Sequence, residues 1–148
     1  MNVLFLTLLF PLFQSITPNQ WIKQTLESYF SQYPDIPESK FCTSTYVAYK
    51  NDAMLVDMDG GITPQQFHKK WSKQFDTKRA GMSAGYFVSG TDFGKIRVTS
   101  CELLKTEARG TWWKVVLSDL DYKIKYRRDI LIVKEKGQYK IADVKEYN

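Results

Sequence analysis

Histidine occurs once and cysteine twice in the 148 residues of this chain. His68, the lone histidine, has no recognisable partner, so neither a metal site nor a nucleophile–histidine relay is legible. No cysteine stands directly after the N-terminal apolar run, which argues against a lipoprotein anchor. There is no arginine-rich arm, zinc-finger spacing or RNP-like motif. The longest basic runs are pairs such as Lys69-Lys70 and Arg127-Arg128, interleaved with acids. The net charge of +5 therefore reads as solvated strand faces and not as a nucleic-acid surface. No domain linker, low-complexity tract or long repeat interrupts the chain, so it is read as one domain.

What is present begins with residues 3–13, an uncharged apolar run that includes Pro11. It is far shorter than the ~20 residues that span a bilayer as a helix and has the length of a signal-peptide core. No Lys or Arg precedes it and no A-x-A site follows, but Ser15 and Thr17 supply small residues near a cut. A leader over 1–17 and a single mature domain over 18–148 are expected, with export to the periplasm or the extracellular space. The mature chain has no integral membrane span. Two cysteines in an exported protein make a Cys42–Cys101 disulfide plausible; two buried free thiols are the alternative.

Two helix starts share one signal. Thr17-Pro18-Asn19-Gln20 and Thr63-Pro64-Gln65-Gln66 both read T-P-x-Q, in which Thr caps, Pro sits at the first helical position and Gln reaches back to the cap. Ile22, Leu26, Tyr29, Phe30 and Tyr33 then recur at helical spacing, which predicts a helix over 18–33 stopped by Pro34. Phe67, Trp71 and Phe75 predict a shorter helix to about residue 76. Between them, 37–49 reads as a short helix around Cys42, and 54–58 as a strand ending at Asp59-Gly60-Gly61.

Glycines 81, 85, 90 and 94 suggest a hairpin that pairs Tyr86-Phe87-Val88 with a long strand over 95–105. A turn at 107–110 leads to a strand at Trp112–Leu117. A second strand runs through Tyr122–Tyr126 and Ile130–Val133, and a turn at Lys136-Gly137 precedes the last, Tyr139–Val144. Several of these segments are apolar on both faces. Helices can cover one face; the other is expected to meet a partner, most simply a second copy in a homodimer through the outer sheet face.

Helices first and then an antiparallel meander ending in Ile130-Leu131-Ile132-Val133-Lys134-Glu135-Lys136-Gly137-Gln138-Tyr139-Lys140-Ile141 resembles the nuclear transport factor 2-like superfamily, which includes SnoaL-like cyclases and ketosteroid isomerase. The resemblance spans the mature chain in topology. It implies an α+β fold of cystatin-like or nuclear transport factor 2-like type, cone-shaped, with N-terminal helices on a strongly curved antiparallel sheet that leaves a pocket.

An isomerase in such a pocket needs a carboxylate base and phenol or protonated-acid donors. Asp57, Tyr29 or Tyr33, Asp119 and, as a base near neutral pH, His68 are the candidates. Surface or turn roles are the commoner fate of each carboxylate. Glu102 alternates with Ile96, Val98 and Leu104, so it would face the pocket if that face is inner, together with the aromatic candidates Trp71, Trp113 and Tyr126. No cofactor or metal is implied.

Three functions follow. The first is an exported non-catalytic domain that binds a small apolar or amphipathic ligand or serves as a dimeric structural module. The second is an isomerase or dehydratase, which requires a carboxylate and a phenol converging in a pocket. The third is a cell-envelope interaction subunit with a filled interior.

Overall fold

A computed structural model of the chain describes residues 15–147; apart from 15–17, the expected leader lies outside the described residues. Among those described, helices α1 (Pro18–Ser31), α2 (Ser44–Met54) and α3 (Pro64–Trp71), with 3-10 turns at Glu38–Lys40 and Thr77–Arg79, precede four strands. These are β1 (Ile96–Glu107), β2 (Gly110–Asp119), β3 (Ile124–Glu135) and β4 (Gln138–Tyr147), in one antiparallel sheet of order β1-β2-β3-β4. The fold is α+β with helices packed against the sheet, as expected.

Both T-P-x-Q signals start helices. At the second, the Thr63 amide donates to Gln66 Oε1 at 2.9 Å and the Gln66 amide to Thr63 Oγ1 at 3.2 Å. At the first, the Thr17 amide donates to Gln20 Oε1 at 3.2 Å. Each exchange satisfies amides that a helix start leaves without partners. α1 buries Ile22, Leu26, Tyr29 and Phe30 in a core shared with Val115, Leu117, Ile130, Ile132 and Val144 of the sheet. Glu27 on α1 accepts from the Val98 amide and from Arg97 Nη1, both at 3.0 Å, which ties the helix to the outermost strand.

Three local expectations are corrected. The helix expected over 37–49 is α2, shifted to Ser44–Met54 because Thr43 Oγ1 accepts from the Tyr46 amide at 3.2 Å and caps it there. Of the strand expected over 54–58, Met54 ends α2 and the other four residues form a turn with an isolated Val56–Ile62 bridge. Tyr86-Phe87-Val88 is not a strand. Phe87 has φ 66° with a fully buried ring, a left-handed conformation incompatible with a strand, and its carbonyl accepts from Arg128 Nε at 2.8 Å.

The Cys42–Cys101 disulfide is also absent: both thiols are free. Cys42 bridges to Ile141 of β4, whereas Cys101 lies in β1 opposite Val115. These strands are the two edges of the sheet, about three spacings of ~4.8 Å apart, beyond the ~7 Å that a disulfide spans. Burial pushes the Cys101 thiol up to about 11 and that of Cys42 further. Alkylation in denaturant without reductant is expected to label two thiols by mass spectrometry; an unlabelled chain would contradict this geometry.

The second face of the sheet is partly clothed by the chain itself. Trp112, Leu131 and Asp143 are cross-strand neighbours, 3%, 0% and 3% exposed, although the two apolar members stand outside the main core. Lys145 and Lys105 lie over the Trp112 ring at 4.8 and 5.8 Å. Arg79, from the 3-10 turn packed against β4, covers Tyr147 at 4.6 Å. Trp112 and Leu131 are thus sheltered within one chain, whereas Val116 and Val133 on the same face are half-buried.

Candidate functional site

The space between helices and sheet is occupied by rings. Tyr49 stacks on Phe75 at 4.0 Å and on Phe67 at 5.4 Å, with Trp71 edge-on at 5.7 Å. Phe87 packs against Tyr29 at 5.8 Å and Phe41 at 6.2 Å. Interlocked rings of this kind leave little room for a ligand among them.

Concave space lies instead at the rim. A recess of about 170 Å³ forms where α1, the Glu38–Lys40 turn, the end of α2 and residues 85–93 meet. Three wider grooves of 380 to 500 Å³ are shallower surface features, one formed mainly by the β1–β2 turn and the others beside exposed lysines.

One wall of the recess is a circuit of four rings. Tyr29, Phe30, Phe93 and Tyr33 meet edge-to-face in turn at 5.1, 5.0, 5.4 and 5.7 Å. α1 supplies Tyr29 and Phe30 from its last turn, and Tyr33 follows in the turn just beyond the helix end. Facing them are two hydrogen-bonded pairs. Tyr29 Oη donates to Glu38 Oε1 at 2.6 Å, and Tyr86 Oη donates to Asn51 Oδ1 at 3.0 Å. Burial, and after it the Glu38 carboxylate, drives the Tyr29 phenol far above its ordinary range. Burial does the same at Tyr86. Both phenols stay neutral across all physiological pH, with their protons committed to neighbours.

A carboxylate and a phenol therefore do converge, but the acid is Glu38, which sequence reasoning missed. Its signal was faint: an acid nine residues beyond Tyr29, after a segment carrying Pro34 and Pro37 that doubles the chain back on α1. Tyr29→Phe is expected to cost about 1–2 kcal/mol in urea denaturation by orphaning part of a charged acceptor. Glu38→Gln should cost less, since its amide oxygen still accepts. Equal losses would mean that the contact is not charge-assisted.

The other sequence candidates are dispersed. Asp57 is exposed in the turn after α2 with φ 59°. His68 is exposed on α3, its Nδ1 2.7 Å from Thr77 Oγ1. Asp119 is a turn-former: Oδ1 accepts from the Asp121 and Tyr122 amides at 3.0 Å and Oδ2 from Gly94 at 2.7 Å. Trp71 donates to Asp52 Oδ2 at 2.8 Å and Trp113 to Thr111 Oγ1 at 2.8 Å. Tyr126 sits on β3 beside Arg128. None of these lines the recess with Tyr29.

Glu102 is corrected by a bulge. The irregularity between Val98 and Ser100 shifts the alternation of β1, so Cys101, opposite Val115, continues the inner face and Glu102, opposite Lys114, is exposed on the other. A one-residue slip exchanges faces.

Among the described residues no three His, Cys, Asp or Glu side chains cluster as metal ligands would, and no helix is long and apolar enough to cross a membrane. Comparison with protein-family models, with curated proteins and with solved structures finds no match for this chain.

Proposed function

We propose that this chain is an exported, non-catalytic domain of the cone-shaped nuclear transport factor 2-like type, and that it binds one small amphipathic molecule in the rim recess beside Tyr29 and Glu38. The order of elements, helices followed by a four-stranded meander, supports the family reading. The observation that carries the binding reading is the recess itself. Four separated segments bring aromatic walls and a few fixed polar groups to one concave place, the usual composition of a small-molecule site. Its volume of about 170 Å³ falls below the ~300–1,000 Å³ of drug-sized pockets, so the ligand is small.

A second reading, an isomerase or dehydratase, draws on the 2.6 Å contact of phenol and carboxylate. It ranks second because the phenol protons that would stabilise an oxyanion are already donated, from Tyr29 to Glu38 and from Tyr86 to Asn51.

A fragment library titrated against the labelled protein tests the binding reading. Amide shifts in two-dimensional spectra are expected to cluster at 29–38, 51–54 and 85–93. A library that moves none of them would overturn it.

A further inference from the structure

We infer that the molecule held in the recess is a small alkylammonium ion, recognised by Glu38 and the surrounding rings; this rests on the binding reading and specifies its ligand. The sign of charge decides the class. Among the residues lining the recess, Glu38 is the one carboxylate and no Lys, Arg or His accompanies it, in a chain whose net charge is +5. Glu38 is in no salt bridge with a described cation. Two lysines near the Glu38 turn do not supply one: Lys140 Nζ donates to the Lys40 and Ser39 carbonyls at 2.8 and 3.4 Å, and neither Lys40 nor Lys140 lines the recess.

Within the carboxylate, Tyr29 engages Oε1, which fixes the group and leaves Oε2 free to accept. The phenol oxygens of Tyr29 and Tyr86, their protons donated elsewhere, offer lone pairs. Neutral donors also remain at Asn51, Thr91 and Tyr33, so hydrogen bonding by itself does not select the ligand. Charge and ring electrostatics do. Aromatic faces carry negative quadrupole charge and attract cations, alkylammonium ions above all. Such an ion satisfies both partners at once: its apolar skin lies on Tyr33 and Phe93, and its charge faces Glu38. An anion would meet Glu38 uncompensated, and a neutral molecule would gain only the apolar contact.

The test uses choline and two carbon isosteres, neutral 3,3-dimethyl-1-butanol and anionic 3,3-dimethylbutanoate. They are titrated into the protein by amide spectra at one ionic strength. Choline is expected to bind at least about tenfold more tightly than the alcohol, with no binding of the acid. In Glu38→Gln, whose amide still accepts from Tyr29, the preference should shrink to within about threefold. In Phe93→Leu, which keeps an apolar wall without a ring, choline should weaken about threefold with the alcohol unchanged; this variant carries the test should Glu38→Gln fail to fold. If the alcohol matches choline, or if only neutral or anionic library members bind, the cation inference is overturned and the binding function stands. If nothing binds in the recess, both fall.

Discussion

Glu146→Gln is expected to lower stability by about 3–5 kcal/mol, the largest single loss the structure implies. Glu146 Oε1 accepts from Lys50 Nζ at 2.6 Å, and its Oε2 lies 3.5 Å from Arg128 Nη2. The side chains of both cations are fully buried and that of Glu146 is 3% exposed. Burial pulls the ordinary pKa of Lys50 and of Arg128 downward, while Glu146 acts in the opposite direction on each. Neutralising Glu146 leaves two like charges in the interior with no anion between them. The remaining partners are neutral: the Ala80 and Gly81 carbonyls for Lys50, at 2.9 and 3.0 Å, and for Arg128 the carbonyls of Phe87, Arg127 and Tyr147 at 2.8, 2.7 and 3.0 Å and the Ser89 hydroxyl at 3.4 Å. These solvate the cations without cancelling their charge. Lys50→Met should be milder, about 1–3 kcal/mol, because Glu146 then keeps Arg128 and the site loses one charge of the majority sign. Urea denaturation at pH 7 measures both. A Lys50→Met loss equal to or greater than that of Glu146→Gln would show that charge balance does not govern the site.

The same network explains why the loop before β1 resisted a sequence reading. Gly81 has φ 59°, and a Cβ there would collide with the Glu146 carboxylate. Its glycine serves a contact with the end of the chain and not a hairpin turn. The α2 stripe was hidden for a related reason. Tyr46, Tyr49, Lys50 and Ala53 are buried at helical spacing, but Lys50 breaks the apolar pattern, and the acid that makes its burial tolerable is 96 residues away. Where the partners are local, the reading succeeds. The T-P-x-Q starts, the α1 stripe and the Lys136-Gly137 turn, with φ of 50° and 78°, each depend on residues within a few positions.

The site was legible only in part. Tyr29 was a candidate from its helical position, yet Glu38 carries no motif, and its meeting with Tyr29 depends on how the chain folds back after α1. Glu102 failed because alternation assumes an unbroken strand, and a bulge leaves no reliable mark in sequence. The two-sided apolar pattern of β2 and β3 did not reveal that Lys105 and Lys145 lie over Trp112 and Arg79 over Tyr147, contacts that alternation along a strand does not encode.

Asp143→Asn is expected to stabilise the protein at pH 7 by up to about 3 kcal/mol and to do little at pH 4. Asp143 is 3% exposed, beside Leu131 on the outer face, and among the described residues it enters no salt bridge. Burial raises its pKa from 3.8 to about 6; Arg109, the Val144 amide and Lys145 oppose the rise, and Asp76 adds to it. Between those two values the folded chain holds a proton that the unfolded chain has released. Folding is therefore favoured most below about pH 4, and this contribution is lost as pH climbs through 6. The gap corresponds to about 3 kcal/mol, an upper figure because asparagine must still bury an amide. Midpoints of urea unfolding at pH 4, 5, 6 and 7 should nearly coincide at pH 4 and separate progressively as pH rises from 3.8 to about 6. If Asp143→Asn destabilises at pH 7, the carboxylate is instead held charged by Arg109 and the sign of the effect is reversed. Glu146, three residues on and on the inner face, has two cations within 3.5 Å and answers the corresponding substitution with a loss. Two acids on one strand, one partnered and one not, thus give opposite results from the same exchange of oxygen for nitrogen, and that contrast measures burial against pairing within a single fold.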